Sequence, residues 1–205
     1  MARPRRISND QILAATRKAV VDHGATVSLD VIAQALGVTL PAVLKRYPSK
    51  EALFLAALQP PPTPPWVESL ERGPDQRPVQ AQLTELFEEV LVFFERIIPL
   101  MSALRECSFH FDHSRMRAGP IKGRAAWTAW LERAHQKGLI DAVDYDCAAN
   151  AMIGALQARV FFSHVLQAPS PRRGRETFVE TTAAFFSKAL QVHKKPRRSP
   201  AGAPS

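Results

Sequence analysis

Residues 28–50, SLDVIAQALGVTLPAVLKRYPSK, predict two short helices joined by a tight turn, and the rest of the chain is read outward from them. Leu29, Ile32, Ala33 and Leu36 recur at i, i+3, i+4 and i+7, one apolar helix face, and Ser28 stands before them as an N-cap. Gly37 suits the left-handed backbone at the end of that helix, and Val38 follows as an apolar plug. Thr39 is placed to cap a second helix over residues 40–47. Pro41 is tolerated there because first-turn amides have no intrahelical partner. In that helix Val43 and Tyr47 point inward, which leaves Leu40, Pro41, Leu44 and Lys45 outward with Arg46 at the flank. A helix of this length fits a major groove. The same pattern also suits an ordinary hairpin inside a helical bundle, so the flanks must decide.

The flanks carry Ile12-Leu13, Ala15 and Gly24 before the hairpin, and Tyr47-Pro48-Ser49-Lys50-Glu51-Ala52-Leu53 after it. With Ser28-Leu29, Ile32-Ala33 and Leu36-Gly37-Val38 between them, the first third of the chain resembles the TetR family of one-component transcriptional regulators. The remainder matches that family in architecture only. The resemblance implies a helix-turn-helix head that binds operator DNA, a helical body with an apolar effector pocket, and a homodimer. The DNA-contacting set it implies is Ser28, Thr39, Leu40, Pro41, Leu44, Lys45, Arg46 and Lys50. Two positions depart from the pattern. Many members carry a small residue where Pro41 stands, and a tyrosine that touches phosphate where Leu44 stands. Leu44 has no hydroxyl, which shifts the expected phosphate contacts toward Lys45, Arg46, Lys50 and backbone amides.

Composition agrees with an all-α reading. With 46% hydrophobic residues in 205, the chain can bury a sizeable core, and periods near 3.6 dominate over two-residue alternation. The net charge of +8 is unevenly spread. Residues 1–59 hold eight Lys/Arg against four Asp/Glu, residues 60–190 hold fifteen of each, and residues 191–205 hold four basic and no acidic side chains. A basic end bearing a helix-turn-helix favours a polyanion, because neutralising phosphates releases counterions. Cys107 and Cys147 do not form a disulfide framework, residues 1–8 lack the apolar core of a leader, and no run approaches the roughly 18 apolar residues of a membrane span. A cytoplasmic protein without a membrane partner is expected.

The expected organisation is a DNA-binding head over residues 1–59, a Pro-rich linker over 60–78, a helical ligand-binding and dimerisation body over 79–192, and a basic tail over 193–205. Arg3, Arg5 and Arg6 form a basic arm before a first helix capped by Asn9 or Asp10. Ser49 caps a fourth helix with Leu53, Ala56 and Ala57 inward. Residues 60–65, PPPTPP, must break it; they read either as a semi-rigid spacer or as an interruption of the head-to-body link. In the body, a helix over 79–98 should stop or kink at Pro99 and restart over 100–109, and residues 112–119 read as a loop before a helix starting at Pro120.

The last two helices, from Asp144 to about residue 166 and over 175–192, each show two apolar seams. One seam carries Ala151, Gly154, Ala158, Phe161 and Val165, paired with Phe178, Thr182 and Phe185. A helix needs one such face for its own core, so these residues predict a four-helix dimer interface. Phe87, Leu91, Phe94, Met101, Leu104, Trp127, Trp130, Leu131, Met152 and Leu156 are core by default; the resemblance implies that an apolar effector pocket lies among them. Cys107, His110, Asp112 and His113 are the one cluster of ligand-type side chains, but helical spacing puts Asp112 off the face of Cys107 and His110, so no metal is expected. No nucleophile-and-base motif, P-loop or dinucleotide fingerprint is present, and neither a cofactor nor an enzyme is expected. The expected function is a transcriptional regulator, with repression released by a small, largely apolar ligand. The alternative is a ligand-binding or enzymatic body whose head mediates protein contacts.

Overall fold

The computed structural model describes residues 7–107, 113–166 and 174–191, and all regular elements among them are helical. The basic arm of Arg3, Arg5 and Arg6, the pair His110 and Asp112, and the tail over 193–205 lie outside the described residues.

Four helices make the head. In α1 (Asn9–His23) the cap is Ser8 rather than Asn9 or Asp10. Gln11 N–H donates to Ser8 Oγ at 3.2 Å while Ser8 N–H donates to Gln11 Oε1 at 2.8 Å, a reciprocal capping box that satisfies two orphan donors. In α2 (Leu29–Leu36) Ser28 Oγ accepts from Val31 N–H, and Gly37 closes the helix at φ 66°, ψ 32°, where a side chain would be strained. The next helix is shorter than expected. α3 spans Leu40–Leu44, after which Arg46 N–H turns back to the Val43 carbonyl in a tighter turn. Thr39 holds the N-cap backbone conformation but makes no side-chain cap bond. Ser49 Oγ accepts from Ala52 N–H to open α4 (Lys50–Leu58). Its inward face is Leu53, Phe54, Ala57 and Leu58; Ala56 is exposed, because Phe54 and Leu58 one turn apart take the side facing the core.

The body follows as α5 (Val67–Arg72), α6 (Val79–Glu106), α7 (His113–Gln136), α8 (Tyr145–Val160) and α9 (Arg175–Ala189). Two expected interruptions are absent. α6 runs through Pro99, and α7 begins at His113 and carries Pro120 inside it. An internal proline costs about 3 kcal/mol. At Pro99 the helix continues because Leu100, Ala103 and Leu104 beyond it are buried, and they join Ile12, Ile32, Val43, Phe54 and Leu58 in the core of the head. The end of α6 therefore completes the head. At Pro120 the buried side chains Met116 and Trp127 lie on either side and hold α7 to the body.

The core of the body gathers Phe87, Leu91, Trp127, Trp130, Leu131, Met152 and Leu156, with Val179 and Ala183 from α9. α6 packs on α8 and α9, while α7 packs on α5 and α8. Arg175 clamps the start of α9 to Glu88 and Glu95 of α6. After Val160 the chain continues as one π-helical turn, Phe161–Val165, instead of the regular helix expected there. The wider turn leaves Phe161 and Phe162 both exposed. Ser163 Oγ donates back to the Arg159 carbonyl at 2.7 Å, a local bond that competes with the regular ladder.

Candidate functional site

On the head, Thr39, Pro41, Ala42, Lys45 and Arg46 form the exposed side of α3 and its following turn. Leu40 and Leu44 are half-buried, and Leu40 packs against the core of the head rather than projecting fully outward. The reason is the phase of a five-residue helix pinned by fully buried Val43: Ala42, not Leu40, takes the open position. Sequence reading missed Ala42, although Pro41, Ala42 and Lys45 share one helix face by spacing. Arg46 Nη1 donates to Asn9 Oδ1 at 3.0 Å, which fixes the guanidinium beside the start of α1. Lys50 is half-buried with its ammonium 4.9 Å from the centre of the Phe54 ring. Burial pushes the nearby Cys107 thiol pKa up, against a smaller downward pull from Lys50. Ser28 is exposed at the N-terminus of α2, where its hydroxyl is engaged as the cap.

A cavity of about 370 Å³ opens where the linker meets the body. α6 supplies Phe93, Phe94, Ile97, Ile98 and Met101; α7 supplies Met116, Gly119, Ile121 and Arg124; α8 supplies Asn150, Ile153 and Gln157. Pro60, Pro61, Pro64 and Trp66 close the remaining side. Of the ten sequence-predicted pocket residues, Phe94 and Met101 line this cavity. Phe87, Leu91, Trp127, Trp130, Leu131, Met152 and Leu156 are packed in the core of the body, and Leu104 in that of the head. They are the deeper side of the helices whose shallower sides face the cavity.

The residues missed are those of the linker and of the first half of α7, together with Phe93, Ile97 and Ile98 of α6 and Asn150, Ile153 and Gln157 of α8. The PPPTPP stretch is seated on the body: Lys122 Nζ donates to Thr63 Oγ1 at 2.9 Å. A Cβ on Gly119 would stand 3.3 Å from the Pro61 carbonyl oxygen, and one on Gly123 only 2.4 Å from Trp66 Cη2. These two glycines, one turn apart, let α7 approach the strap closely. Trp66, 4% exposed, has a buried indole N–H without a hydrogen-bond partner. At the other end of the strap, Arg17 Nε of α1 donates to the Ala57 carbonyl of α4 at 2.7 Å. Cavity wall, strap, α4 and α1 are thus in continuous contact.

On α8, the π-helical turn after it and α9, Ala151, Gly154, Phe161 and Phe185 are exposed, while Ala158, Val165, Phe178 and Thr182 are half-buried. Phe185 is 66% and Phe161 44% exposed, high for large apolar side chains. Phe178 instead packs against the core of the body, beneath the Arg159 guanidinium at 4.6 Å. Among the described residues, no helix is long and apolar enough to cross a membrane, and no group of three His, Cys, Asp or Glu side chains is placed to hold a metal.

Comparison with known proteins follows the same division. The description "Bacterial regulatory proteins, tetR family" matches residues 12–57, and "AefR-like transcriptional repressor, C-terminal domain" matches residues 80–190. No curated protein matches the chain. Among solved structures, SmeT of Stenotrophomonas maltophilia, the repressor of the multidrug efflux pump SmeDEF, is 18% identical with a TM-score of 0.66, over 97% of this chain and 98% of that one. A TetR transcription regulator of Haloarcula marismortui is 22% identical with a TM-score of 0.64, over 89% and 97%. FadR of Bacillus subtilis, solved with stearoyl-CoA, is 12% identical with a TM-score of 0.61, over 90% and 100%. At these identities the likeness is one of fold. The two family matches cover the helix-turn-helix head and the helical body separately, and together they make the chain a member of the tetR family of bacterial transcriptional regulators, with a body of the AefR-like repressor type.

Proposed function

We propose that the regulator is a homodimeric repressor whose heads bind a two-fold operator and whose cavity takes a small, largely apolar ligand that releases it. The observation that carries this reading is the shared wall: Pro60, Pro61 and Pro64 line the cavity and lead directly from the end of α4. A ligand that fills the cavity presses on the strap, the strap shifts the Ala57 carbonyl, and Arg17 carries that shift into α1. The seating of the strap on α7 supports this route over a free spacer. Release requires the ligand to favour the non-DNA arrangement, and about 1.4 kcal/mol of differential binding gives only tenfold weaker operator affinity. The exposed apolar positions on α8 and α9 are the surface for the second copy. Lys45 and Arg46 contribute phosphate contacts, with Lys50 at the start of α4; Thr39, Pro41 and Ala42 meet the groove, flanked by Leu40 and Leu44.

Footprinting on DNA flanking the coding region tests this. The expected result is a protected palindrome with half-site centres roughly 34–36 Å apart or a multiple of that, and a rise in transcription of the adjoining gene when the regulator is deleted. A fall in transcription would reverse the sign to activation, and the absence of any protected site would reject the operator reading.

A further inference from the structure

Among the described residues, the wall of the cavity is apolar apart from Arg124, Asn150 and Gln157, and none of its lining side chains is a carboxylate. Several basic side chains of the body are tied down: Arg77 by Asp75 and Glu85, Arg175 by Glu88 and Glu95, Arg133 by the Leu70 and Glu71 carbonyls, Lys122 by Thr63. Arg124 has no such tie among the described residues and stands exposed on α7, one turn beyond Pro120, at the edge of an apolar space. Its fixed guanidinium fork matches a carboxylate or sulfonate in two-pronged fashion, and the side-chain amides of Asn150 and Gln157 across the cavity offer further donors.

We propose that the cavity selects an amphiphile with an apolar body and a single anionic end, the carbons packed between the proline strap, Phe94 and Ile153 and the anion set against Arg124. This rests on the reading of the cavity as the effector site and names the chemistry of the effector. A volume of about 370 Å³ lies within the usual range for small-molecule sites, roughly 300–1,000 Å³. An organic cation of the same shape meets a like charge at Arg124 with no carboxylate to offset it, so the wall discriminates by sign as well as by size.

A matched pair of fluorescent probes tests this on the full chain: anionic 1-anilinonaphthalene-8-sulfonate and its uncharged counterpart N-phenyl-1-naphthylamine. Ile153→Trp, and independently Asn150→Trp at an exposed position, fill the cavity and locate the binding. The expected result is that both blocking variants lose both probes. Arg124→Gln should weaken the sulfonate about three- to tenfold, the range for an exposed charge pair, and leave the neutral probe unchanged. Arg124→Lys should recover part of the loss. If the blocking variants act as expected but Arg124→Gln leaves the sulfonate unchanged, or weakens both probes equally, the anionic-end proposal is overturned while the cavity reading stands. If the blocking variants bind both probes like wild type, or wild type binds neither, the cavity reading fails and takes the proposal with it.

Discussion

The helix-turn-helix of the head and the wall of the cavity differ in how far apart their determinants lie. In the head, the starts of α1, α2 and α4 and the end of α2 are set by neighbours in sequence: Ser8 with Gln11, Ser28 with Val31, Ser49 with Ala52, and Gly37 in its left-handed conformation. The cavity is assembled from segments spread between Pro60 and Gln157, and its shape depends on how closely those segments approach. Local chemistry therefore specifies the helix-turn-helix, whereas tertiary packing specifies the cavity.

The largest expected effect contrasts solid core with cavity margin. Trp127→Ala should destabilise the body by about 3–5 kcal/mol, since the ring is fully buried against Phe87 and Trp130. Half-buried Ile153→Ala, at the cavity edge, should cost about 1 kcal/mol or less, because few contacts are lost there. Urea denaturation followed by circular dichroism measures both, and equal losses would mean that the cavity edge is packed as tightly as the core.

A second pair uses one substitution at two sites on the body. Gly123→Ala should cost roughly 1–3 kcal/mol, because the new methyl meets buried Trp66. Gly154→Ala has open space around its Cβ and should stabilise α8 by up to about 1 kcal/mol through helix propensity. Thermal melts should therefore move in opposite directions; a neutral Gly123→Ala would show that the strap yields easily to α7. The most local effect belongs to the head. Ser28→Ala should cost about 1 kcal/mol by removing one cap bond. Hydrogen exchange should register that loss in α2 and spare the amides around Trp127, and equal loosening of both would deny that the motif is locally specified.

These contrasts explain which parts of the fold were legible in advance. The two-helix motif, the glycine stop and the caps at Ser28 and Ser49 follow from spacing and side-chain chemistry within a few residues. Pro99 and Pro120 misled because their local cost is plain in sequence, while the burial that offsets it comes from distant segments. The PPPTPP stretch could be recognised as a break, but its role as a wall depends on Gly119, Gly123 and Lys122 of α7, some sixty residues away. For the same reason the aromatic residues chosen for the pocket fell mainly in the core. Apolar periodicity identifies the buried side of a helix, and a cavity is lined by its shoulder.

Whether the exposed side of α3 and its following turn meets DNA is decided by operator affinity measured across salt concentrations for the wild type and for Lys45→Ala. For the wild type a steep fall of affinity with salt is expected, and for Lys45→Ala a log-log slope shallower by about 0.9, one phosphate contact, with similar weakening on operator and unrelated DNA. Salt-insensitive association, or an unchanged slope in Lys45→Ala, would contradict that contact.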